Sequence, residues 1–373
     1  MSAELGVGVV GLGGAGNRHA RALAEGRVAG ARLAGVCDPL LERRAAFPVW
    51  SSAEAKDLFA HEEVQAVVLA APHPAHAELS RAALLAGKHV LVEKPLGVHK
   101  AECAKVLALH ASLGPERPVF GVIHDYRADP RFTWLSSQLS RGDFGRVERV
   151  VWQATDWYRT DAYFRASPWR GRFASEGGGL LVNQAPHLLD LLLWLVGSPS
   201  RVTGFCRFGR FHEIEVEDDM TAMLEFPSGM SALIVAGTGE APGTNRLEVS
   251  CDRGRIVLED AAARVHRNRE PASVHRRREL SGRPLADVER FEFPVRSPTG
   301  LALLENFVAA VRGSARLLAP AHEAAAAVEV ANAILWSSLL ERPVSLPIDG
   351  VGFERALLEL SAPGERKSGL RSG

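Results

Sequence analysis

The stretch that most constrains the fold lies near the start of the chain, where closely spaced glycines separate an apolar run from a helical pattern. Residues 5–10 form the apolar run, and the helical pattern continues to residue 24. The turn between them has the spacing G-x-G-x-x-G and consists of Gly11, Leu12, Gly13, Gly14, Ala15 and Gly16. Strand, glycine turn and helix in this order are typical of the first βα unit of a dinucleotide-binding sheet.

Each glycine of this turn has a separate physical role. Gly11 permits the tight turn, Gly13 lets backbone N–H groups approach a pyrophosphate, and Gly16 lets the helix pack close to the strand. The positive end of the helix dipole then faces the phosphates. A second apolar run ends at Asp38, whose carboxylate can accept both ribose hydroxyls and would repel a 2′-phosphate. NAD is therefore the favoured cofactor, and the arginines at 43 and 44 leave NADP possible.

Apolar runs and helical patterns continue to alternate up to residue 123. Residues 64–70, 89–92 and 118–123 read as strands, and residues 75–86 and 100–112 read as helices. This alternation predicts βαβ units in a doubly wound parallel sheet, an α/β fold. In such sheets ligands bind beyond the carboxyl ends of the strands.

Polar residues follow these strand ends. Lys94 comes directly after a strand and before a proline, where it could meet the reactive face of the cofactor; the alternative is a surface lysine paired with Glu93. For His73 and His76, packing or capping is as plausible as contact with the cofactor. The predicted cofactor-binding residues at these ends are Ala71, Pro72, His73, His76, Glu93 and Lys94.

Beyond residue 123 the pattern changes to consecutive strands with short turns, which predicts a second, mainly antiparallel sheet. The apolar run 188–196 is the predicted helical cover of one face. Residues 261–286 are arginine-rich and read as an exposed excursion, whereas 301–311 and 322–340 read as helices that close the second domain. The predicted domains are 1–123, 124–350 and a C-terminal tail, 351–373.

A polar cluster introduces the apolar run of the second domain. Three glycines follow Glu176, and they allow another group to approach the main chain closely. Pro186 is tolerated only in a first helical turn, so a helix is expected to begin within a residue or two of Asn183. On that helix Asn183, His187 and Asp190 would share one face. The arrangement suggests an active-site wall; the alternative is a core histidine bonded to its neighbours.

Composition excludes several classes of partner. Lysine plus arginine equals aspartate plus glutamate at 44 each, so no long-range field attracts nucleic acid or a membrane surface. The four cysteines are far apart in the sequence, without metal-binding spacing, and are expected to be reduced and unpaired in a cytoplasmic protein. No metal site is predicted.

The succession of motifs resembles the glucose–fructose oxidoreductase / inositol dehydrogenase (Gfo/Idh/MocA) family over residues 5–345. The supporting motifs are GLGGAG, VCD, GKHVLVEKPL, YRADPRF, WRG, GGGLLVNQAPHLLDLL and VEVANAILWSSLLERPVSLP. The resemblance implies a Rossmann domain followed by an α/β domain whose open sheet mediates homodimers or homotetramers. It also implies hydride transfer between a nicotinamide and a ring secondary alcohol of a sugar, inositol or related polyol.

The resemblance places the catalytic lysine at Lys94 and the catalytic histidine at His187. The acid that usually partners this histidine falls on Asn183, a departure shared with some relatives. An amide orients an imidazole but supplies no charge, so Asn183 is expected to position a substrate hydroxyl.

The expected substrate wall consists of Tyr126, Tyr163, Trp169, Arg170, Asn183 and His187. For the aromatic residues the alternative is packing between the domains. Two other functions remain open: redox-assisted, NAD-dependent cleavage of a glycosidic bond or elimination on the same fold, and a non-catalytic nucleotide sensor.

Overall fold

The computed structural model describes residues 4–294 and 300–362 of the 373-residue chain. The chain divides into two compact units, the first formed by Met1–Ala128 with Pro298–Val328 and the second by Asp129–Ser297 with Glu329–Gly373. The predicted boundary after residue 123 lies close to the first of these breaks. The division differs in giving the chain from Pro298 to Val328 to the first unit, whereas the sequence prediction gave it to the second domain.

The first unit is built on a six-stranded sheet with the order β3-β2-β1-β4-β5-β6 and parallel pairing throughout. This is the strand order of a doubly wound dinucleotide fold. Its elements up to the end of the sheet are β1 (Leu5–Val10), α1 (Gly14–Ala24), β2 (Ala31–Cys37), α2 (Leu41–Arg44), β3 (Trp50–Ser52), α3 (Ala55–Ala60), β4 (Ala66–Leu69), α4 (His76–Leu85), β5 (His89–Glu93), α5 (Lys100–Ser112) and β6 (Phe120–Ile123). The predicted parallel α/β sheet is confirmed.

Both faces of this sheet are covered, as a parallel sheet requires. One apolar cluster joins strand residues such as Leu69 to Leu84 of α4. The other joins Val7 and Val9 of β1 to Leu23 of α1 and to Phe307. Phe307 lies in the later helix Leu301–Val311, which is why that part of the chain belongs with the first unit.

The second unit contains a nine-stranded mixed sheet with the order β14-β13-β12-β11-β7-β10-β9-β8-β15. Only β10 and β7 pair in parallel among its described strands, and every other pair is antiparallel. The remaining elements of the chain are α6 (Pro130–Ser140), β7 (Val147–Ala154), α7 (Asp161–Arg165), α8 (Phe173–Glu176), α9 (Leu180–Asn183), α10 (Pro186–Val196), β8 (Arg201–Phe208), β9 (Glu217–Glu225), β10 (Ser231–Gly237), β11 (Asn245–Cys251), β12 (Gly254–Glu259), β13 (Ala262–Asn268), α11 (Ala272–Arg278), β14 (Ala286–Glu292), α12 (Leu301–Val311), α13 (Ala321–Leu340), β15 (Val344–Ser345) and α14 (Gly350–Ser361). The predicted mainly antiparallel second sheet is confirmed.

The prediction of an exposed excursion over residues 261–286 is wrong. The segment contains β13 and α11, and β14 begins at its end. Ala263 and Val265 of β13 are 0% and 1% exposed, whereas Arg264 between them is exposed. Strand β13 therefore has the two-residue alternation of a strand with one buried face, and Arg264 lies on its exposed face.

Helices pack directly on the sheet of the second unit. The ring of Phe132 in α6 lies 5.9 Å from that of Trp152 in β7. A Cβ atom on Gly204 of β8 would lie 2.3 Å from the backbone oxygen of Ile334, so α13 approaches β8 closely enough to require glycine. The apolar helix α10, the predicted cover, packs against α6 and α9.

The segment expected to be a C-terminal tail begins with helix α14. Phe353 of this helix is 1% exposed, and its ring lies 5.7 Å from that of Trp336 in α13. Residues 351–361 are therefore a packed part of the second unit. The remainder of the predicted tail, residues 363–373, lies outside the described residues.

One helix in the described part of the chain, α13, is long and apolar enough to cross a membrane by length and composition alone. The bent pair Phe173–Asn183 and Pro186–Val196 passes the same test only if it is counted as a single span. Of the 18-residue stretch of α13 that passes this test, 56% is buried inside the fold. The Ser337 hydroxyl of the same helix accepts a hydrogen bond from Gly204 N–H at 3.0 Å. These contacts are those of a core helix.

Candidate functional site

The glycine turn of the first unit has the geometry that a dinucleotide requires. Gly11 has φ = +84°, and a Cβ atom there would lie 2.6 Å from Ala70 O. A Cβ atom on Gly16 would lie 1.7 Å from Gly11 O, so only glycine allows α1 to pack this closely. At Gly13, in contrast, no atom lies within 4 Å of such a Cβ. The space above Gly13 at the start of α1 fits the approach of a pyrophosphate.

Asp38, directly after β2, is hydrogen-bonded to this turn. The residue is 2% exposed, and its carboxylate accepts hydrogen bonds from Leu12 N–H at 2.7 Å and from Leu40 N–H at 2.9 Å. Arg43 Nη1 lies 3.4 Å from Asp38 Oδ2. The carboxylate therefore lies beside the glycine turn, as an acceptor for ribose hydroxyls must, with a guanidinium close by.

The end of β4 is connected to the end of β5 through His76. Ala71 and Pro72 lead into the short turn of 3₁₀ helix at His73, and the His73 and His76 rings lie 5.9 Å apart. His76 is 0% exposed, and its two ring nitrogens each lie 2.7 Å from a carbonyl oxygen, that of Pro95 and that of Ala71. Burial lowers the pKa of His76, so its neutral ring can donate to only one of these carbonyls at a time. His76 connects the two turns from inside the fold.

Lys94 directly follows β5 in a polar group at the carboxyl edge of the sheet. Glu93, the last residue of β5, lies 3.0 Å from the Nε2 atom of the buried His19. Lys94 is partly buried, and its positive charge acts on His76, His124 and Asp125. The lysine is therefore one member of a cluster of titratable groups beyond the strand ends.

His124 and Asp125 follow β6 at the same edge. Burial holds the pKa of His124 well below its usual range, because the imidazolium form is poorly solvated there. Burial, with the Glu93 charge, raises the pKa of Asp125 to about 6. Tyr126, the next residue, is half-buried in a short 3₁₀ turn, Asp125–Ala128. These residues directly follow the strand-like run 118–123, and nothing in the local sequence indicates that Asp125 would be half-buried.

In the second unit, the prediction that Asn183 and His187 share one helix is wrong. Asn183 ends the one-turn helix α9, and α10 begins at Pro186, three residues later. The helical stretches Phe173–Asn183 and Pro186–Val196 are bent by 46° relative to each other at the break between them. His187 occupies the first turn of α10, with the buried Asp190 one turn further along. Proline starts the new helix because its missing N–H is needed least at that position.

Asn183 is held by a carboxylate. Its Nδ2 atom donates to Glu176 Oε1 at 2.6 Å and lies 3.5 Å from the Tyr163 hydroxyl. The second oxygen of Glu176 accepts from Gly171 N–H at 2.7 Å, and Glu176 is 2% exposed. The bond to Glu176 fixes which end of the Asn183 amide is the nitrogen, and the other end, Oδ1, is an acceptor.

The triple glycine packs against a second buried acid, Glu217. A Cβ atom on Gly179 would lie 2.1 Å from Glu217 O, and Gly178 has φ = +156°. Glu217 Oε1 accepts from Gly179 N–H and from Leu181 N–H, both at 3.0 Å. Burial raises the pKa of Glu217 to about 7. This acid anchors the start of α9, the helix that carries Asn183.

Tyr163, Trp169 and Arg170, three of the predicted substrate-wall residues, lie together. The guanidinium carbon of Arg170 is 4.1 Å from the centroid of the Tyr163 ring and 5.0 Å from that of Trp169. Arg159, which sequence reasoning did not select, lies 5.0 Å from the Tyr163 centroid. Through Tyr163 this aromatic and cationic group is continuous with Asn183.

Sequence reasoning missed the roles of Glu176, Glu217 and Arg159. The only sequence feature that could have pointed to Glu176 is its position immediately before the triple glycine. No local sequence feature pointed to Glu217, since it lies 38 residues from Gly179, from which it accepts a hydrogen bond. The predicted cofactor residues lie in the first unit, and Tyr163, Trp169, Arg170 and Asn183 lie together in the second.

Two family models match the chain. The model described as "Oxidoreductase family, NAD-binding Rossmann fold" matches residues 5–115, and the "GFO/IDH/MocA C-terminal domain" matches residues 132–257. The first unit is accordingly an NAD-binding Rossmann domain, as the glycine turn and Asp38 predict.

Individual proteins agree with these models. The uncharacterized oxidoreductase YdgJ of Escherichia coli is 35% identical over 154 residues, 40% of this chain and 41% of that protein. Inositol 2-dehydrogenase of Streptomyces avermitilis is 36% identical over 281 residues, 71% of this chain and 75% of that protein.

Among solved structures, the WlbA dehydrogenase from Bordetella pertussis, in complex with NADH and UDP-GlcNAcA, superposes with a TM-score of 0.76 at 23% identity. The match covers 93% of this chain and 100% of that one. At that identity it supports the two-part fold alone. The long alignment to the Streptomyces enzyme and the two family models show that the chain belongs to the Gfo/Idh/MocA family of oxidoreductases.

Proposed function

We propose that the protein is an NAD-dependent dehydrogenase that oxidises or reduces a ring secondary alcohol of a sugar, inositol or related polyol. The observation that carries the proposal is the position of Lys94, directly beyond β5 at the carboxyl edge of an NAD-binding sheet. Ligands of such sheets bind beyond that edge. NADP remains a second possible cofactor because Arg43 lies beside Asp38.

The bound nicotinamide supplies the hydride chemistry, and the protein supplies orientation and proton transfer. Lys94 donates a hydrogen bond to the reacting oxygen and stabilises negative charge that develops on it. His187 removes or returns the hydroxyl proton, because an imidazole titrates near neutral pH. The two side chains are proposed to act on the same carbinol.

Asn183 is the third member of the proposed catalytic group. Its Nδ2 atom donates to Glu176, so its oxygen is suited to accept a hydrogen bond from a substrate hydroxyl. The negative charge that relatives place at position 183 is present one hydrogen bond away, on Glu176. Tyr126, Tyr163, Trp169 and Arg170 are proposed to contact the sugar ring, aromatic faces against its C–H groups.

The test is a panel of inositols, aldoses, sugar acids and nucleotide sugars, assayed at 340 nm for reduction of NAD and of NADP. With an active substrate, Lys94→Ala and His187→Ala are expected to abolish turnover while NADH still binds, measured by quenching of protein fluorescence. Lys105→Ala and His322→Ala are matched controls, because Lys105 is exposed on α5 and the His322 side chain is 73% exposed.

Undiminished turnover in either Lys94→Ala or His187→Ala contradicts the assigned roles. Product formation without any net change at 340 nm supports the redox-assisted glycosidase or lyase instead. Tight NADH binding with no turnover of any panel member supports the nucleotide sensor.

We also propose that the second unit forms a homodimer or homotetramer through the open face of its sheet. Phe205, Met223 and Leu233 point to this face and are 65%, 48% and 40% exposed. Cross-strand pairing places Met223 beside Leu233. The four cysteines form no disulfide, which fits the proposed cytoplasmic location.

A further inference from the structure

Two arginines lie beside Tyr163 without a carboxylate partner among the described residues. The guanidinium carbons of Arg159 and Arg170 lie 5.0 and 4.1 Å from the Tyr163 ring centroid. Within the part of the chain that the structure describes, neither guanidinium has an acidic side-chain oxygen within 4.0 Å. Most arginines on the sheet of this unit do form such pairs, for example Arg246 with Glu259 at 2.9 Å.

The hydrogen bonds of both guanidinium groups are incomplete. Arg170 Nη1 donates to Tyr163 O at 3.3 Å and to Ser167 Oγ at 3.2 Å, and Arg159 Nη1 donates to Tyr158 O at 3.2 Å. All three acceptors are neutral. The Nε atoms of both arginines are buried, with no hydrogen-bond partner in the described part of the chain. A buried donor left unbonded costs free energy, and the terminal nitrogens of both groups, which bond only neutral acceptors, can bond a further, charged acceptor.

Local contacts hold the two arginines in place. His212 Nε2 lies 3.0 Å from Arg159 O, and His212 Nδ1 lies 3.0 Å from Asp218 Oδ2. Arg170 lies against both Tyr163 and Trp169. Tyr163 in turn places its hydroxyl 3.5 Å from Asn183 Nδ2. The uncompensated charge is thus held next to the residue proposed to position the reacting hydroxyl.

We propose that the substrate carries an anionic group, a carboxylate or a phosphate, which Arg159 and Arg170 bind while Asn183 meets a ring hydroxyl. This inference rests on the proposed function and narrows its substrate class from polyols in general to acidic or phosphorylated ones. Guanidinium groups suit planar carboxylates and phosphates because their N–H donors form a fixed fork. A neutral polyol would leave both charges without a counter-charge.

The experiment compares sugars that share one ring and differ in a single substituent away from the oxidised carbon. Each set contains the hydroxymethyl sugar, its uronate and its phosphate ester, for example glucose, glucuronate and glucose 6-phosphate. Two quantities are measured: kcat/KM with NAD, and calorimetric affinity for the NADH-loaded protein. An anionic member is expected to exceed its neutral partner by roughly 10- to 100-fold in both, the range for charge-assisted hydrogen bonds.

Arg159→Ala and Arg170→Ala are each expected to remove this preference by raising the KM of the anionic member to that of the neutral sugar. Arg165→Ala is the matched control, because Arg165 is exposed on α7 in the same arginine-rich segment. Added salt should raise the KM of the anionic member and leave that of the neutral member unchanged. Comparison of uronate with phosphate ester identifies the anion.

Equal affinity for neutral and anionic members overturns the inference, and so does a preference that survives both arginine variants. Failure of every anionic member to bind the NADH-loaded protein overturns it as well. Turnover of neutral sugars without any preference for anions rejects this inference and leaves the proposed function standing. Tight, arginine-dependent anion binding without turnover of any member supports the anion site and rejects the dehydrogenase.

Discussion

At the scale of single residues, the hydrogen bond between Asn183 and Glu176 determines what the amide can do. An asparagine side chain carries a donor and an acceptor of nearly the same shape, and its partner decides which is used. Glu176 is a carboxylate with a second bond to Gly171 N–H, so it selects the amide nitrogen. Position 183 therefore combines a neutral side chain with a defined direction, which an isolated asparagine would lack.

Replacement of Glu176 tests this role. In Glu176→Gln the partner can both donate and accept, so the amide of Asn183 loses its defined orientation. We expect kcat to fall by roughly 10- to 100-fold, the scale on which small misplacements act, while NADH affinity stays unchanged. Steady-state kinetics and NADH titration measure the two effects.

The control is Glu213→Gln, since Glu213 is an exposed acid of the same unit. Wild-type kcat in Glu176→Gln would show that the hydrogen bond has no catalytic consequence.

Glu217 makes stability depend on pH. Its pKa in the folded protein, about 7, lies above the ordinary value of 4.5, mainly because of burial. The folded state therefore binds the proton more tightly than the unfolded state, and its contribution to stability is present below pH 4.5 and lost as pH rises towards 7. A glutamine at position 217 would keep an oxygen that accepts hydrogen bonds from the N–H groups of Gly179 and Leu181, and it would bury no negative charge.

We accordingly expect Glu217→Gln to raise the unfolding free energy of the second unit at pH 8, on the order of 2–3 kcal/mol. The gain should shrink as pH approaches 4.5. Urea unfolding of both proteins from pH 4.5 to 8 measures this difference. A constant offset between them across that range would refute the assignment. Asp125 in the first unit has a pKa shifted in the same direction, but its effect cancels in the comparison.

At the scale of elements, two glycines of the turn between β1 and α1 have different roles, one in the stability of the fold and the other in cofactor binding. Gly16 has no room for a side chain, whereas Gly13 has open space above it. Gly16→Ala is expected to destabilise the first unit by several kcal/mol, on the order of an overpacked core site. Gly13→Ala is expected to leave the melting temperature unchanged and to weaken NADH binding, because its methyl group occupies the pyrophosphate approach.

Thermal unfolding and NADH titration of the two variants measure these effects, and each variant serves as the control for the other. Equal loss of stability in both, or unimpaired NADH binding by Gly13→Ala, would contradict this division of roles.

Elements were predictable where one local signal dominates. Helix α5 has the predicted bounds, Lys100–Ser112, because turns flank it on both sides. The predicted strands and helices of the first unit are observed, but the sequence prediction missed α2, β3 and α3, which lie between β2 and β4. The prediction failed between Asn183 and His187, where a four-residue spacing suggested one helix. Spacing reports which residues would share a face, but not that the chain turns at residues 184 and 185 before Pro186 starts α10.

At the scale of the whole molecule, the open face of the nine-stranded sheet bears on assembly. A monomer that exposes Phe205, Met223 and Leu233 on one sheet face leaves a contiguous apolar surface in water, which typically marks an interface. Phe205→Glu is expected to shift the protein towards monomer, because a second copy would have to bury the new charge. Analytical ultracentrifugation across a range of concentrations measures the shift.

Leu85→Glu is the matched control, because Leu85 is 55% exposed at the end of α4 in the first unit. A Phe205→Glu protein with the wild-type sedimentation profile would exclude this face as the interface.

The sequence by itself determined the class of fold, the dinucleotide turn, Asp38 and the strand end that bears Lys94. These features depend on residues close together in the chain, where periodicity and glycine spacing act directly. Tertiary structure alone decided which acids hold the polar residues of the second unit. Glu217, in strand β9, accepts hydrogen bonds from Gly179 and Leu181, and Arg159 lies against Tyr163 with no acidic partner among the described residues. Burial and long-range hydrogen bonds set these properties, and neither is encoded in local sequence pattern.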